Sequence, residues 1–216
     1  MKTKLFMFIA LGILAVTACT KYPPASGRLT EDLVIYTKYD VGVNFYDYHS
    51  FAIVPKISYI NGNDSSYLTD ANAMALLNRI ASDMVGRGFV KVDSSQHPDF
   101  GINVTAIKTT NTTVYYPGWY WGYPAYYSPG WWGYPGYGYG YPYYPTYVTS
   151  YSSGTVIIDL ADLKYKTSDN KIMIRWNAYI RALLTGNHTQ SEILQCVDQA
   201  FTQTPSLKTT PEPLAK

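Results

Sequence analysis

The feature that most constrains the fold is a tract at residues 115–151 that contains no charged side chain. Its 37 residues include 14 Tyr, 4 Trp, 7 Gly and 6 Pro. Gly and Pro recur so often that no apolar run reaches the length of a core strand or helix. The tract is therefore predicted to be a low-complexity insert between two parts of one folding pattern.

Two interpretations of this insert are open from the sequence. In the first it is inert filler, a disordered or loosely collapsed loop, tolerated because loop-closure entropy grows only with the logarithm of loop length. In the second it is a contact surface, because Tyr and Trp present rigid amphipathic area that also stacks on sugar rings. The candidate contact residues are Trp119, Trp121, Trp131, Trp132, Tyr123 and Tyr134.

Before the insert, the sequence predicts strands and one amphipathic helix. The helix begins after Thr69 or Asp70, either of which is a good N-cap. Apolar residues then recur at helical spacing and define one buried face. That face holds Ala73, Leu76, Leu77, Ile80 and Met84. The predicted strands are 33–36, 48–54, 89–92 and 100–108.

After the insert, residues 155–163 and 172–182 alternate strictly between apolar and other side chains, which predicts an antiparallel hairpin. Ile172, Ile174, Trp176, Ala178 and Ile180 are predicted to share one side of the second strand. A capping box at residues 189–192 opens a second helix. The predicted fold is α+β: an antiparallel sheet with two helices packed on one face, the other face wet, interrupted by a long aromatic, Gly- and Pro-rich loop.

The N-terminus has the pattern of an export signal. Lys2 and Lys4 precede an apolar run at 5–16 that is too short to span a bilayer. Val16-Thr17-Ala18-Cys19 resembles the lipobox of bacterial lipoproteins, which implies cleavage before Cys19 and acylation of its thiol by chains such as palmitate. The predicted organisation is a signal peptide at 1–18, a lipidated tether at 19–30, a single domain at 31–205 and a flexible tail at 206–216.

Charge and cysteine content exclude some classes of partner. The chain has 17 Lys and Arg against 15 Asp and Glu, and loss of Lys2 and Lys4 with the signal makes the two counts equal. Nucleic-acid binding is not expected, because it normally requires clustered basic residues. With Cys19 acylated, Cys196 is the remaining thiol, so no intramolecular disulfide is expected. Cys196 is predicted to be buried in the last helix.

No motif assigns a catalytic residue, a metal ligand or a cofactor. His49, His97 and His188 fall in separate segments without the spacing of a metal site. Asp159 and Asp162 point to opposite faces of a strand, so solvation or turn capping explains them better than acid–base catalysis. A non-enzymatic role is therefore favoured. The rival is an enzyme assembled from scattered polar residues, for which the candidates are His49, Asp99, Asp159 and Arg175.

The order of several short motifs is similar to that of a known family. They are Tyr39-Asp40, Asn44-Phe45, Tyr48-His49-Ser50-Phe51-Ala52, Pro98-Asp99-Phe100, the aromatic tract, Gly154-Thr155-Val156-Ile157-Ile158-Asp159-Leu160 and Ile174-Arg175-Trp176. In this order they resemble the bacterial lipoprotein family named as domain of unknown function 4136. The resemblance implies an α+β envelope lipoprotein and carries over no catalytic residues.

The sequence also predicts a location. Thr20, where enteric lipoproteins retained at the inner membrane have Asp, resembles a signal for passage to the outer membrane of a Gram-negative bacterium. The periplasmic leaflet is the default, and surface exposure is left open. The expected partners are the membrane, through the lipid anchor, and a glycan, peptidoglycan or an envelope protein, through the insert.

Overall fold

The computed structural model describes residues 33–108, 118–142, 154–181, 183 and 188–210. The chain divides into two units, Met1–Glu31 and Asp32–Lys216. The first unit lies outside the described residues, and with it the predicted signal peptide, the whole predicted tether and the lipid-attachment residue Cys19. No helix within the described ranges is long and apolar enough to cross a membrane.

The described residues form nine strands and two α-helices. The strands are β1 (Ile35–Tyr39), β2 (Ser50–Ile53), β3 (Ile57–Asn61), β4 (Asp64–Leu68), β5 (Val90–Lys91), β6 (Phe100–Ile107), β7 (Gly138–Gly140), β8 (Thr155–Asp162) and β9 (Lys171–Ile180). The helices are α1 (Ala71–Gly86) and α2 (Gln190–Thr202). The main strand order is β1-β9-β8-β6-β2-β5.

The sheet is mixed, which corrects the predicted antiparallel sheet. The pairs β1–β9, β9–β8, β8–β6 and β3–β4 are antiparallel, as the predicted hairpin required. However, β2 and β3 both run parallel to β6, and β5 runs parallel to β2. The reason is topological, because α1 lies between these strands in sequence and a helical crossover returns the chain in the same direction.

Both helices pack on one face of the sheet, as predicted. The apolar face of α1 and the buried residues Cys196, Val197, Ala200 and Phe201 of α2 join one core cluster with β6 and β8. Local signals set the helix starts. Asp70 caps α1 by accepting hydrogen bonds from the N–H groups of Asn72 and Ala73, and Thr189 and Glu192 form the predicted capping box.

The second face of the sheet is covered by residues 118–142 of the insert. Trp119, Tyr120 and Tyr126 pack with residues such as Ile157 and Tyr179 of the sheet. Tyr127 and Trp132 pack over a second apolar group, which holds Ala52, Val54, Ala161, Leu163, Ile172 and Ile174. For residues 118–142 the interpretation as a loosely collapsed loop is therefore wrong, and so is the prediction of a wet face. Residues 115–117 and 143–151 lie outside the described ranges.

A β-bulge breaks the predicted alternation of β9. Leu160 of β8 pairs with Trp176, whereas the next residue, Ala161, pairs with Ile174. Arg175 is thus an extra residue on β9. Such an insertion shifts the alternation by one residue, so that Ile174 and Trp176, on either side of Arg175, point to opposite faces of the sheet. Trp176, Ala178 and Ile180 join the helix-side core, but Ile172 and Ile174 join the insert side. The prediction that all five share one side is wrong for this reason.

The chain after α2 stays in contact with the end of α1 as far as Thr209, whose N–H group donates to the carbonyl oxygen of Arg87. Leu207 is fully buried. The guanidinium of Arg87 donates hydrogen bonds to the carbonyl oxygens of Phe201, Thr204 and Leu207. The flexible tail predicted from residue 206 therefore does not begin there, and residues 211–216 lie outside the described ranges.

Candidate functional site

The six predicted contact residues differ in their exposure. Trp119 and Trp132 are only 9% and 5% exposed, so their indoles belong to the core beneath the insert and are not available to a ligand. This is a correction to the sequence-based prediction. Trp121, Tyr123 and Tyr134 are partly buried. Trp131 is 47% exposed, which makes it the one exposed side chain among the five tryptophans of the chain.

The position of Trp131 is set by the residue that follows it. Both tryptophans lie in a short 3-10 helix, Pro129–Trp132. The ring of Trp132 lies so close to the backbone of β6 that a Cβ atom added at Gly101 would sit 2.8 Å from the indole. Gly101 thus provides the seat for Trp132. With Trp132 held against the sheet, its neighbour Trp131 is left at the surface.

A groove of about 300 Å³ opens beside the Trp131 indole. It lies where the end of β2, the first half of α1 and the segment after β5 meet. Its apolar lining comes from Ala52, Ile53, Val54, Pro55, Met74, Leu77 and Val92, and its polar lining from Asn78, Lys91, Asp93 and Ser94. The polar four are all exposed at the surface. The groove therefore combines an aromatic wall and an apolar floor with a polar rim.

Asp159 lies beneath the insert and not in solvent. It is 1% exposed, and its Oδ2 accepts hydrogen bonds from the hydroxyls of Tyr120 and Tyr126, both at 3.0 Å. Asn103 extends this network by donating to the hydroxyls of Tyr126 and Tyr139 at 3.1 and 3.2 Å. Burial raises the pKa of Asp159 to about 7, against the lowering effect of the tyrosine donors. Solvation, predicted for Asp159 from the sequence, is thus wrong because the insert covers it.

Asp162 belongs to a separate network at the end of β8. Its Oδ2 accepts hydrogen bonds from the Tyr48 hydroxyl and from Nε of Arg175, both at 2.8 Å. Its Oδ1 accepts from the backbone N–H groups of Lys164 and Tyr165, so the predicted turn capping is confirmed for this residue. Burial, and then the charge of Asp162, raise the pKa of Tyr48, so that its hydroxyl stays protonated.

The second network joins several of the motifs that carry the family resemblance. Arg175 also donates to Oδ2 of Asp40 at 2.6 Å, so it bridges two carboxylates. The Tyr48 ring stacks on Phe100 with a centroid separation of 4.1 Å. Asp99 accepts hydrogen bonds from the backbone N–H groups at the start of β2. These contacts fix the strand ends to one another, which is a structural role.

The residues proposed for a rival enzyme are not brought into one site. Asp159 is under the insert, whereas Arg175 is held by Asp40 and Asp162 at the end of the sheet. His49 is exposed, and none of His49, Asp99, Asp159 and Arg175 lines the groove beside Trp131. Within the described residues, no group of three or more His, Cys, Asp or Glu side chains is arranged to hold a metal ion.

Sequence reasoning missed the polar rim and the seat of the insert. The rim residues come from α1, from the end of β5 and from the segment that follows it, so their proximity to Trp131 exists only in the folded chain. One local signal was available for the seat. Gly101 lies inside a strong strand pattern, and a glycine at such a place often marks the close approach of another group to the backbone.

Comparisons with known proteins identify a fold and a family but no activity. Residues 35–206 match the family model described as domain of unknown function, DUF4136. The crystal structure of a DUF4136 family protein from Bacteroides thetaiotaomicron VPI-5482 has 31% sequence identity and a TM-score of 0.72, covering 82% of this chain and 98% of that one.

Two further structures have much lower similarity. A PelC dodecamer from Paraburkholderia phytofirmans has 11% identity and a TM-score of 0.38, covering 82% of this chain and 99% of that one. A PDZ domain protein from Parabacteroides distasonis ATCC 8503 has 14% identity and a TM-score of 0.40, covering 80% of this chain and 35% of that one. No curated protein sequence matches this chain.

Proposed function

Because the chain belongs to the DUF4136 family, whose function is unknown, we propose a function from its own residues. It is a lipid-anchored, non-enzymatic protein of the cell envelope, carried on the periplasmic side of an outer membrane. Its aromatic insert contacts an envelope glycan or an envelope protein.

The exposure of Trp131 on a well-packed base is the observation that carries the contact role. Burying a large apolar side chain stabilises a fold by about 1.5–3 kcal/mol, and this chain buries Trp119, Trp132 and Trp176. Trp131 is 47% exposed, although Trp132, which follows it in the chain, is 5% exposed and Tyr127, which its ring touches, is 7% exposed. Because Trp combines a large apolar ring with a polar N–H group and is enriched at interfaces, an exposed Trp beside a groove supports a contact role.

The N-terminal sequence supports the anchor. Cys19 lies outside the described residues, so the proposal rests on the apolar run and on the likeness of residues 16–19 to a lipobox. Acyl chains on Cys19 would hold the protein at a membrane, because each buried methylene contributes about 0.8 kcal/mol. Residues 20–30, if extended, would span roughly 35 Å between the lipid and the domain.

The anchor is tested by Cys19→Ser in cells labelled with a fatty acid analogue. We expect the variant to lose the acyl label and to leave the membrane fraction. A Cys19→Ser protein that is still processed after residue 18 and still sediments with membranes washed in carbonate would refute the anchor.

The contact surface is tested with the full chain in mild detergent, by co-sedimentation with purified envelope material. Replacing the four contact candidates of the insert that are not fully buried with alanine, at Trp121, Tyr123, Trp131 and Tyr134, should abolish retention while the circular dichroism spectrum stays that of the wild type. A matched control replaces Tyr36 and Tyr165, two exposed aromatics outside the insert, and should retain binding. Equal retention of both variants would show that the insert is not the contact surface.

A further inference from the structure

The exposed ring of Trp131 is part of a longer aromatic strip. Tyr127, which is 7% exposed, touches Trp131 edge to face with ring centroids 5.0 Å apart. On its other side Tyr127 touches Tyr67 of β4, with centroids 5.6 Å apart. Tyr67 is itself 42% exposed. Two exposed rings, one from the insert and one from the sheet, are thus joined through a single buried ring.

The polar rim of the groove has hydrogen-bonding groups that are not used within the described part of the protein. The side chains of Asn78, Lys91 and Ser94 have no hydrogen-bond or ion-pair partner among the described residues. The groove therefore offers an amide, an ammonium and a hydroxyl group to a ligand, next to the exposed indole of Trp131. This combination suits a ligand with an apolar face and a polar edge, which is the character of a pyranose ring.

Positively charged side chains at both ends of the aromatic strip restrict the class of ligand further. Lys56 lies with its Nζ 5.4 Å from the centroid of the Tyr67 ring, at one end of the strip. Lys91 lines the groove at the other end, and neither lysine has a carboxylate partner within the described ranges. Asp93 is the one carboxylate in the groove lining, and it lies at the N-cap of a short 3-10 helix, Ser94–Gln96. The strip is therefore aromatic along its length with an excess of positive charge.

We propose that this strip, from Tyr67 across Tyr127 to the groove beside Trp131, binds an acidic polysaccharide chain. One sugar ring stacks on the Trp131 indole with its hydroxyls toward Asn78 and Ser94. A neighbouring unit of the same chain stacks on Tyr67, and carboxylates of the chain pair with Lys56 and Lys91. This inference rests on the proposed contact function and specifies its site and its ligand.

The test uses the full chain in mild detergent and two probes of equal length, a polygalacturonate oligosaccharide and a neutral malto-oligosaccharide. Binding is followed by calorimetry and by tryptophan emission, which shifts to shorter wavelength when the exposed indole is covered. We expect the acidic probe to bind more tightly than the neutral one. Trp131→Ala should weaken binding about tenfold or more and abolish the emission shift, as expected for an aromatic anchor.

Further variants separate stacking from charge. Tyr67→Ala should weaken binding of both probes, whereas Lys91→Gln should weaken only the acidic probe and make its binding less sensitive to salt. Trp131→Phe keeps a ring and should restore part of the affinity. Tyr165→Ala is the matched control, because Tyr165 is 49% exposed and has Lys164 5.6 Å from its ring but does not line the groove. It should bind as the wild type does.

Two results would overturn the inference. Binding of neither oligosaccharide by the wild type would refute the ligand class, and unchanged binding by Trp131→Ala would refute the site. The proposed function fails separately, when the wild type and the variant with Trp121, Tyr123, Trp131 and Tyr134 replaced by alanine retain envelope material equally. Loss of that retention in the variant, together with no saccharide binding by the wild type, would support the contact function but refute an acidic polysaccharide as its ligand.

Discussion

Asp159 is the buried acidic group on which docking of the insert depends most directly. Its carboxyl group is enclosed between the sheet and the insert and accepts hydrogen bonds from Tyr120 and Tyr126. Burial is the largest cause of its raised pKa, which moves from an ordinary value of 3.8 to about 7. The folded protein therefore holds a proton at this site that the unfolded chain releases.

The sign of the pH dependence follows from this difference. A folded-state pKa above the unfolded value contributes stability that is fully present below about pH 4 and is lost as the pH rises through about 7. Each pKa unit corresponds to about 1.4 kcal/mol, so the difference is worth about 4 kcal/mol between these limits. That is a large share of the 5–15 kcal/mol by which a typical domain is stable.

Asp159→Asn is the perturbation that isolates this effect, because it keeps the shape of the side chain but removes its ionisation. Urea melts of the wild type at pH 4 to 8 should show the free energy of unfolding falling by a few kcal/mol, and the variant should lose most of this slope. Asp83, whose pKa burial raises to about 6, acts in the same direction, so Asp83→Asn measures the part of the slope that Asp83 contributes. Asp64→Asn, at the exposed first residue of β4, is the control.

The outcome that refutes this reasoning is specific. A wild type whose stability stays constant or rises between pH 4 and 7 would show that the tyrosine donors outweigh burial and keep Asp159 ionised. An Asp159→Asn variant with the full wild-type slope would assign the titration to another group.

Two further predictions concern the packing on the two faces of the sheet. Gly101→Ala should lower the free energy of unfolding by about 1–3 kcal/mol in urea melts, because the added methyl group clashes with the Trp132 ring. Gly86→Ala, where an added Cβ has nothing within 4 Å, should be nearly neutral. Equal effects of the two substitutions would contradict the proposed seat of Trp132 at Gly101. Trp176→Ala should cost about 3–5 kcal/mol, because the indole is 1% exposed and donates to Thr204; a loss below about 1 kcal/mol would mean that it is not a core residue.

Elements controlled by nearby residues were predictable from the sequence. The spacing of apolar residues in α1, the Asp70 cap and the Thr189–Glu192 capping box all act within one or two helical turns. The β8–β9 hairpin was predictable for a similar reason, since its partners are adjacent in the chain. The strands of the β3–β4 hairpin were not predicted, because β4 carries the polar pair Ser65-Ser66 in place of an apolar pattern.

The parallel pairing of β2 with β6 could have been predicted from the sequence but was not. A helix between two neighbouring strands is the connection that parallel strands require, so the α1 pattern already favoured β2 and β6 running the same way. The bulge at Arg175 could not have been predicted from the sequence. The apolar spacing from Ile172 to Ile180 fits an unbroken strand, and the reversal appears only when β8 sets the register.

The sequence by itself determined the helices, their caps, the hairpin and the motif order that identifies the family, because these depend on contacts between residues close in the chain. Only the tertiary structure decided what the aromatic tract does. Its composition is equally consistent with filler and with a surface, and no local pattern shows that Trp132 finds a seat at Gly101 or that Tyr120 and Tyr126 cover Asp159. Those contacts join residues 31 to 39 positions apart, and the free energy of burial that selects them exists only once the sheet has formed.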